Sequence, residues 1–151
     1  MRLAGVTSPS LSLSRRERGV VVLYGGDFVS SPDRVGPEKR RVSVAEAMRR
    51  LPGPNAERFA TVLEHGTLDI EIYAPRGTDP QKPHTRDEVY VVVQGQGEFR
   101  NGAKIERFGP GDVLFVPALE DHRFENFTED LVVWVMFYGP EGGEAALGSA
   151  P

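Results

Sequence analysis

Three side chains stand out as able to do chemistry together: His84, Glu88 and His122. His84 and Glu88 lead into the apolar run Val89-Tyr90-Val91-Val92-Val93. If a strand begins near His84, a period of two points His84, Arg86, Glu88, Tyr90 and Val92 to one face. In a small barrel that face is an interior, where a carboxylate is costly unless it is paired or bound to a metal. His122 shares a second such face with Phe124 and Asn126. The third histidine, His65, sits beside Gly66 in a predicted turn and reads as a solvent-exposed turn residue. With no cysteine in the chain, a disulfide framework, a thiolate metal site and a cysteine nucleophile are all excluded.

The elements that must position these groups are short. Ser43-Val44-Ala45-Glu46 is a capping box, followed by good helix formers through Leu51 and stopped by Pro52-Gly53-Pro54. From Arg58 onward the apolar period is two and the breakers are regular, which predicts strands at 58–64, 67–74, 88–94, 97–100, 104–108, 113–116, 122–127 and 131–138. His65-Gly66 turns the first pair. Asn101-Gly102 predicts a type I′ hairpin, and Gly109-Pro110-Gly111-Asp112 another tight turn. Eight short strands with no helix between them argue a closed all-β barrel or sandwich. The last strand, 131–138, is apolar at every position, so it is either buried on both faces or paired with a second subunit. Glu64, Asp69 and Glu71 alternate with apolar neighbours and read as a solvated strand face.

Charge divides the chain. Residues 1–41 hold 8 Lys/Arg against 4 Asp/Glu, a net of +4, while residues 42–151 carry 10 against 18, a net of -8. A boundary near Val42 follows: an N-terminal extension over 1–41, expected to be flexible apart from a possible edge strand at Gly19–Tyr24, a barrel over 42–139, and a loose tail over 140–151. The overall charge of -4 offers no electrostatic case for nucleic acid. Neither Val20–Tyr24 nor the longer apolar run 131–138 approaches the ~20 residues of a membrane span. Neither a nucleic-acid nor a membrane partner is expected, and the cytoplasm is the expected location.

At the two histidine segments the chain closely resembles the cupin family. His84, three residues, Glu88, six residues, Gly95 fits the second half of the family's first motif. Gly111, Pro117, His122 and Asn126 fall at the spacings of the second, with Leu119 where that motif has Gly. The resemblance spans about residues 58–138 and implies a cupin-type jelly-roll β-barrel. It also implies a metal set of His84, Glu88 and His122. The family's remaining ligand histidine would fall at position 82, where this chain has Lys82. Two imidazoles and one carboxylate with open positions suit one divalent ion: Fe, Mn, Zn or Ni. Gln81 oxygen or a water could supply a fourth ligand. Lys82 opposes this reading, because an ammonium repels a cation.

Around that set, Tyr90 and Lys82 are candidates for moving protons. Tyr90 reads equally as a core aromatic. Arg86, Arg123 and Asn126 are candidates for contact with a substrate, Arg86 through a bidentate fork to a carboxylate. The competing reading of Arg86 is an ion pair with Asp87 or Asp121. The resemblance implies an enzyme of dioxygenase, isomerase or lyase type that acts on a small polar molecule. The alternative is a non-catalytic cupin that binds a small sugar or anion at a degenerate site. A homodimer is expected in either case.

Overall fold

The structure is a computed structural model and describes residues 41–145. The possible strand at Gly19–Tyr24, and the N-terminal extension apart from Arg41, lie outside the described residues.

Among the described residues one helix and eight strands follow in order: α1 (Val44–Met48), β1 (Phe59–His65), β2 (Leu68–Tyr73), β3 (Asp87–Gln94), β4 (Gly97–Asn101), β5 (Lys104–Phe108), β6 (Val113–Val116), β7 (His122–Glu125) and β8 (Val132–Tyr138). All strand pairings are antiparallel. A five-stranded sheet runs β1-β2-β8-β3-β6, and a three-stranded sheet runs β5-β4-β7. The fold is a jelly-roll β-barrel, as the resemblance at the two histidine segments implied.

The capping box at Ser43 forms in both directions. Ser43 Oγ accepts from the Glu46 backbone N–H at 3.3 Å, and Glu46 Oε2 accepts from the Ser43 N–H at 2.8 Å. The helix it starts is shorter than the run of helix formers, ending at Met48. Two-residue loops close the hairpins. The β4–β5 turn differs from expectation: Asn101 pairs with Lys104, so Gly102-Ala103 form the loop. Only Gly102 has a positive φ, +57°. That is the II′ pattern rather than I′, because the ladder extends one pair further and absorbs Asn101.

The core has two layers, one on each face of the five-stranded sheet. Inside the barrel, Tyr90, Val92, Val133, Val135 and Phe137 pack against Phe99, Phe108 and Phe124 of the smaller sheet. On the outer face, Ile72, Val132 and Val62 pack under Ala47 of α1, with Trp134 and Ile70 alongside. The all-apolar β8 is thereby explained within one chain. It lies between β2 and β3, with Val133, Val135 and Phe137 turned inward and Val132 and Trp134 outward beneath the helix.

The same registers correct the reading of β2. Asp69 lies opposite Phe137 and Glu71 opposite Val135. Directly opposed residues share a face, so both acids lie on the inner face of the sheet, near its β1 side, and not on a solvated outer face. Past β8 the chain remains anchored as far as Glu144: Gly142 N–H donates to Thr85 O at 2.6 Å, and Glu144 N–H to Asp87 Oδ2 at 2.7 Å.

Candidate metal centre

The site is built where β3 enters the barrel. Glu88 is the second residue of β3 and points inward, fully buried, in a ladder with Phe137 of β8 and Val116 of β6. His84 precedes the strand and is brought back over it. Leu119 N–H donates to His84 O at 2.7 Å, and Ala118 N–H to Asp87 Oδ1 at 2.9 Å. These two bonds strap the loop before β7 to the entry of β3, and His122 opens β7 from that loop. Leu119 has φ +70° there. It occupies a left-handed position that favours glycine, which accounts for the Gly of the motif at this place.

Both imidazoles are set by backbone carbonyls. His84 Nδ1 lies 2.7 Å from Arg86 O, and His122 Nδ1 lies 2.8 Å from Glu120 O. A carbonyl only accepts, so each Nδ1 carries the proton and each Nε2 faces inward. His84 Nε2 lies 2.6 Å from Glu88 Oε2, and His122 Nε2 lies 3.2 Å from the same oxygen. One ligand atom from each of the three residues falls within 4.8 Å of the others. Two buried polar atoms here, Glu88 Oε1 and His122 Nε2, have no hydrogen-bond partner. Orphaned buried acceptors are rare and costly. A divalent cation would satisfy both, so the residues present fit the ion.

Electrostatics point the same way. Burial opposes the charge on Glu88, but the imidazoles of His122 and His84 beside it outweigh that cost and hold the carboxyl below its ordinary range. Burial likewise opposes the charge on His122. The Glu88 carboxylate beside it and the Glu120 carbonyl overcome it, and the imidazole is raised. Tyr90 is fully buried between Phe99 and Phe124. Burial first, and then the charge of Glu88, push its phenol well up.

The other residues proposed from sequence are placed as follows. Gln81 does not offer its oxygen to the triad, because Oε1 accepts from Tyr90 Oη at 2.7 Å. Lys82 is exposed on the loop before β3. Arg86 turns away from the triad: it pairs with Asp69, donates to Thr67 O at 2.6 Å and lies over the Phe137 ring. Its ionic partner is therefore Asp69 rather than Asp87 or Asp121, because Asp87 is taken up by the backbone N–H groups of Ala118 and Glu144. Arg123 pairs with Asp121 at 3.1 Å on the exposed side of β7. Asn126 lies past the end of β7 at φ +48° and leaves the face of His122 and Phe124, and its Nδ2 donates to Glu98 Oε2 at 2.7 Å. Arg123 and Asn126 instead line a separate cleft with Gly77, Thr78 and Asp79. His65 is exposed in its turn.

Asp79 is the site residue that sequence reasoning missed. It accepts from Tyr73 Oη at 2.6 Å, from Phe124 N–H at 2.8 Å, and from Gln81 Nε2 at 2.9 Å. Its one local signal is Asp79-Pro80, which reads as a turn.

Two antiparallel sheets enclosing a His-Glu-His cluster at the mouth of β3 are the architecture of a small cupin. A family model described as the cupin domain matches residues 69–138. The Streptomyces coelicolor protein SCO3923 is 38% identical over 100 residues, which cover 61% of this chain and 95% of that one. The chain belongs to the cupin superfamily. Dimethylsulfoniopropionate lyase DddQ of Ruegeria pomeroyi is 30% identical over 70 residues, 45% of this chain and 35% of the enzyme, so the match spans only about a third of DddQ. The solved structure of BH2720 from Bacillus halodurans superposes with a TM-score of 0.57 at 17% identity, covering 70% of this chain and 85% of that one, and supports the fold.

Proposed function

We propose that the chain is a mononuclear-metal cupin enzyme of lyase type, acting on a small polar molecule that carries a carbonyl or carboxylate. The observation that carries this reading is the buried triad of His84, Glu88 and His122, with two inward polar atoms left unpartnered. The similarity to a lyase over the matched segment supports the choice of reaction over oxygenation or isomerisation. A divalent ion held by the three side chains would supply Lewis acidity that polarises the substrate oxygen. The chain's own contributions are separate. His84 and His122 are held in the ligand tautomer by Arg86 O and Glu120 O. Phe99 and Phe137 flank the two imidazoles and keep water from them. Tyr90 keeps its proton, since burial raises its phenol, and so acts on a bound molecule by hydrogen bonding and not as a base.

The test is turnover by metal-loaded full-length protein on a panel of small acids with a leaving group β to a carboxylate, followed by NMR for alkene protons. Product that disappears with chelator and with His122→Ala supports the reading. Ligand-induced thermal stabilisation that persists in chelator, without product from any member of the panel, overturns it in favour of a binding module.

The pairing state proposed with this function is a homodimer. Its support is the apolar outer surface of β6, where Val113 is 65% and Phe115 50% exposed. Light scattering at micromolar concentration should give twice the chain mass, falling to one for Phe115→Glu. A wild-type monomer would remove the proposal.

A further inference from the structure

The arrangement around Tyr90 raises a question that the triad alone does not answer: why Glu88 Oε1 is left without a partner when a phenol lies beside it. Tyr90 stands two residues along β3 from Glu88, and both are buried inside the barrel, yet Glu88 Oε1 stays unsatisfied. The phenol proton is directed elsewhere, to Gln81 Oε1 at 2.7 Å.

The direction of that bond follows from a residue remote from the triad. A carboxylate only accepts. Asp79 Oδ1 receives Tyr73 Oη at 2.6 Å and the Gln81 N–H at 3.2 Å. Asp79 Oδ2 receives the Phe124 N–H at 2.8 Å and Gln81 Nε2 at 2.9 Å. Because Gln81 Nε2 must donate to Asp79, Gln81 Oε1 is left facing Tyr90. An amide oxygen cannot donate, so Tyr90 must. Turning the Gln81 amide over would set its oxygen against a carboxylate oxygen and an N–H against the phenol.

We infer that Asp79 and Gln81 are positioning residues: through them the Tyr90 proton is held away from Glu88, which leaves Glu88 Oε1 free for a cation and turns the phenol oxygen toward the site as an acceptor. The inference rests on the reading of the triad as a metal site and deepens it. It predicts that releasing Tyr90 weakens metal binding, because the freed hydroxyl would donate to Glu88 Oε1 and occupy the lone pair a cation needs. The chemistry also restricts what the site takes beside the ion: a group that donates to Tyr90, such as a water or a substrate hydroxyl, and not a second acceptor.

The test uses the full chain, with Mn(II) alone as the probe. Gln81→Leu removes the acceptor of the Tyr90 proton, and Asp79→Asn removes the constraint on the Gln81 amide. Each should weaken Mn(II) binding about tenfold, the range usual for partners that orient a ligand. In a Tyr90→Phe background neither should weaken it further, since no hydroxyl remains to turn. A second readout is independent of metal. The tyrosine Fermi doublet in the Raman spectrum separates a donating phenol from an accepting one, and subtraction of the Tyr90→Phe spectrum isolates Tyr90. Metal-free wild type should show a donor bonded to a neutral oxygen, and both variants should show a changed doublet ratio.

Unchanged Mn(II) affinity with an unchanged doublet overturns the inference. So does a loss of the same size in the Tyr90→Phe background, which would mean that Asp79 and Gln81 act only on the fold. If Asp79→Asn does not fold, Gln81→Leu decides. Failure of wild type to bind Mn(II), Fe(II), Zn(II) or Ni(II) would sink the metal reading instead, and the metal-free doublet would still decide the orientation of Tyr90.

Discussion

Replacing Glu88 by Gln separates the two roles the triad could have, that of a structural polar cluster and that of a metal site. The substitution keeps the shape of a fully buried side chain and removes its charge. In the metal-free protein it loses the charge assistance in the contacts to His84 Nε2 at 2.6 Å and His122 Nε2 at 3.2 Å. Hydrogen bonds to a charged group contribute ~1.5–3 kcal/mol each. Against that, the variant no longer holds a charge out of water, a penalty of several kcal/mol per ion. The terms oppose one another and are of like size, so metal-free stability should move by no more than ~2 kcal/mol in either direction. The metal-bound protein should respond differently. At a free metal concentration of ~100 times the dissociation constant, wild type gains ~2.7 kcal/mol, or a midpoint rise of ~10 °C for a domain of this size. An amide oxygen is a poor substitute for a carboxylate on a divalent ion, so most of that gain should vanish in Glu88→Gln. Thermal melts with and without metal, beside chelator controls, measure both quantities. A variant that keeps the full metal-induced rise would refute the reasoning, as would a wild type whose stability depends on Glu88 but not on metal.

Three further outcomes are expected. In the metal-free protein the depressed Glu88 carboxyl contributes stability above its ordinary value of 4.5, and this is lost as pH falls through the lower folded value. The raised His122 contributes fully below its ordinary 6.5 and is lost as pH rises through the higher folded value. The pair's contribution therefore peaks between those two values, whereas metal binding, which needs neutral imidazole, should strengthen with pH above 6.5 and release about one proton on uptake. Calorimetry in buffers of differing ionisation enthalpy reads that proton, and pH-independent affinity would contradict the ligand role of His122. Leu119→Gly relieves a left-handed φ of +70° at a side chain 64% exposed. Relief of ~1–2 kcal/mol, less the added chain entropy of glycine, should leave a net gain of ~1 kcal/mol in denaturant melts; a loss would show that the leucine packs. Gly95→Ala should cost ~2–4 kcal/mol, because its φ is +87° and a Cβ would meet Leu131 Cα at 2.7 Å. An unchanged melt would refute that close approach.

The strands were legible because each is short, alternates, and is bounded by Gly, Pro or Asn. Their ends fall within two residues of expectation, and those of β5 and β6 coincide with it. The triad was legible because its members sit at motif spacings on inward-facing positions. What could not be read depends on contacts far apart in the chain. Arg86 finds Asp69 across the sheet, 17 residues away, while a nearer acid, Asp87, is taken by backbone donors. Asp69 and Glu71 look like outward residues from alternation alone, yet the sheet has an apolar layer on both faces, and only the register with β8 shows which is inner. Asp79 lies in a loop with no period, and its four donors come from Tyr73, Gln81 and Phe124, which only the fold assembles. For Lys82 the sequence marks the place in the motif, but its exposure is decided by the path of the loop.

The most direct measurement of the central claim is elemental analysis of full-length protein purified without a histidine tag or chelator, beside His84→Ala and His122→Ala. Metal near one equivalent in wild type, absent from both variants while they still fold, is the predicted result. Wild type that takes up none of Fe(II), Mn(II), Ni(II) or Zn(II) even after anaerobic reconstitution, or variants that retain metal, would contradict it.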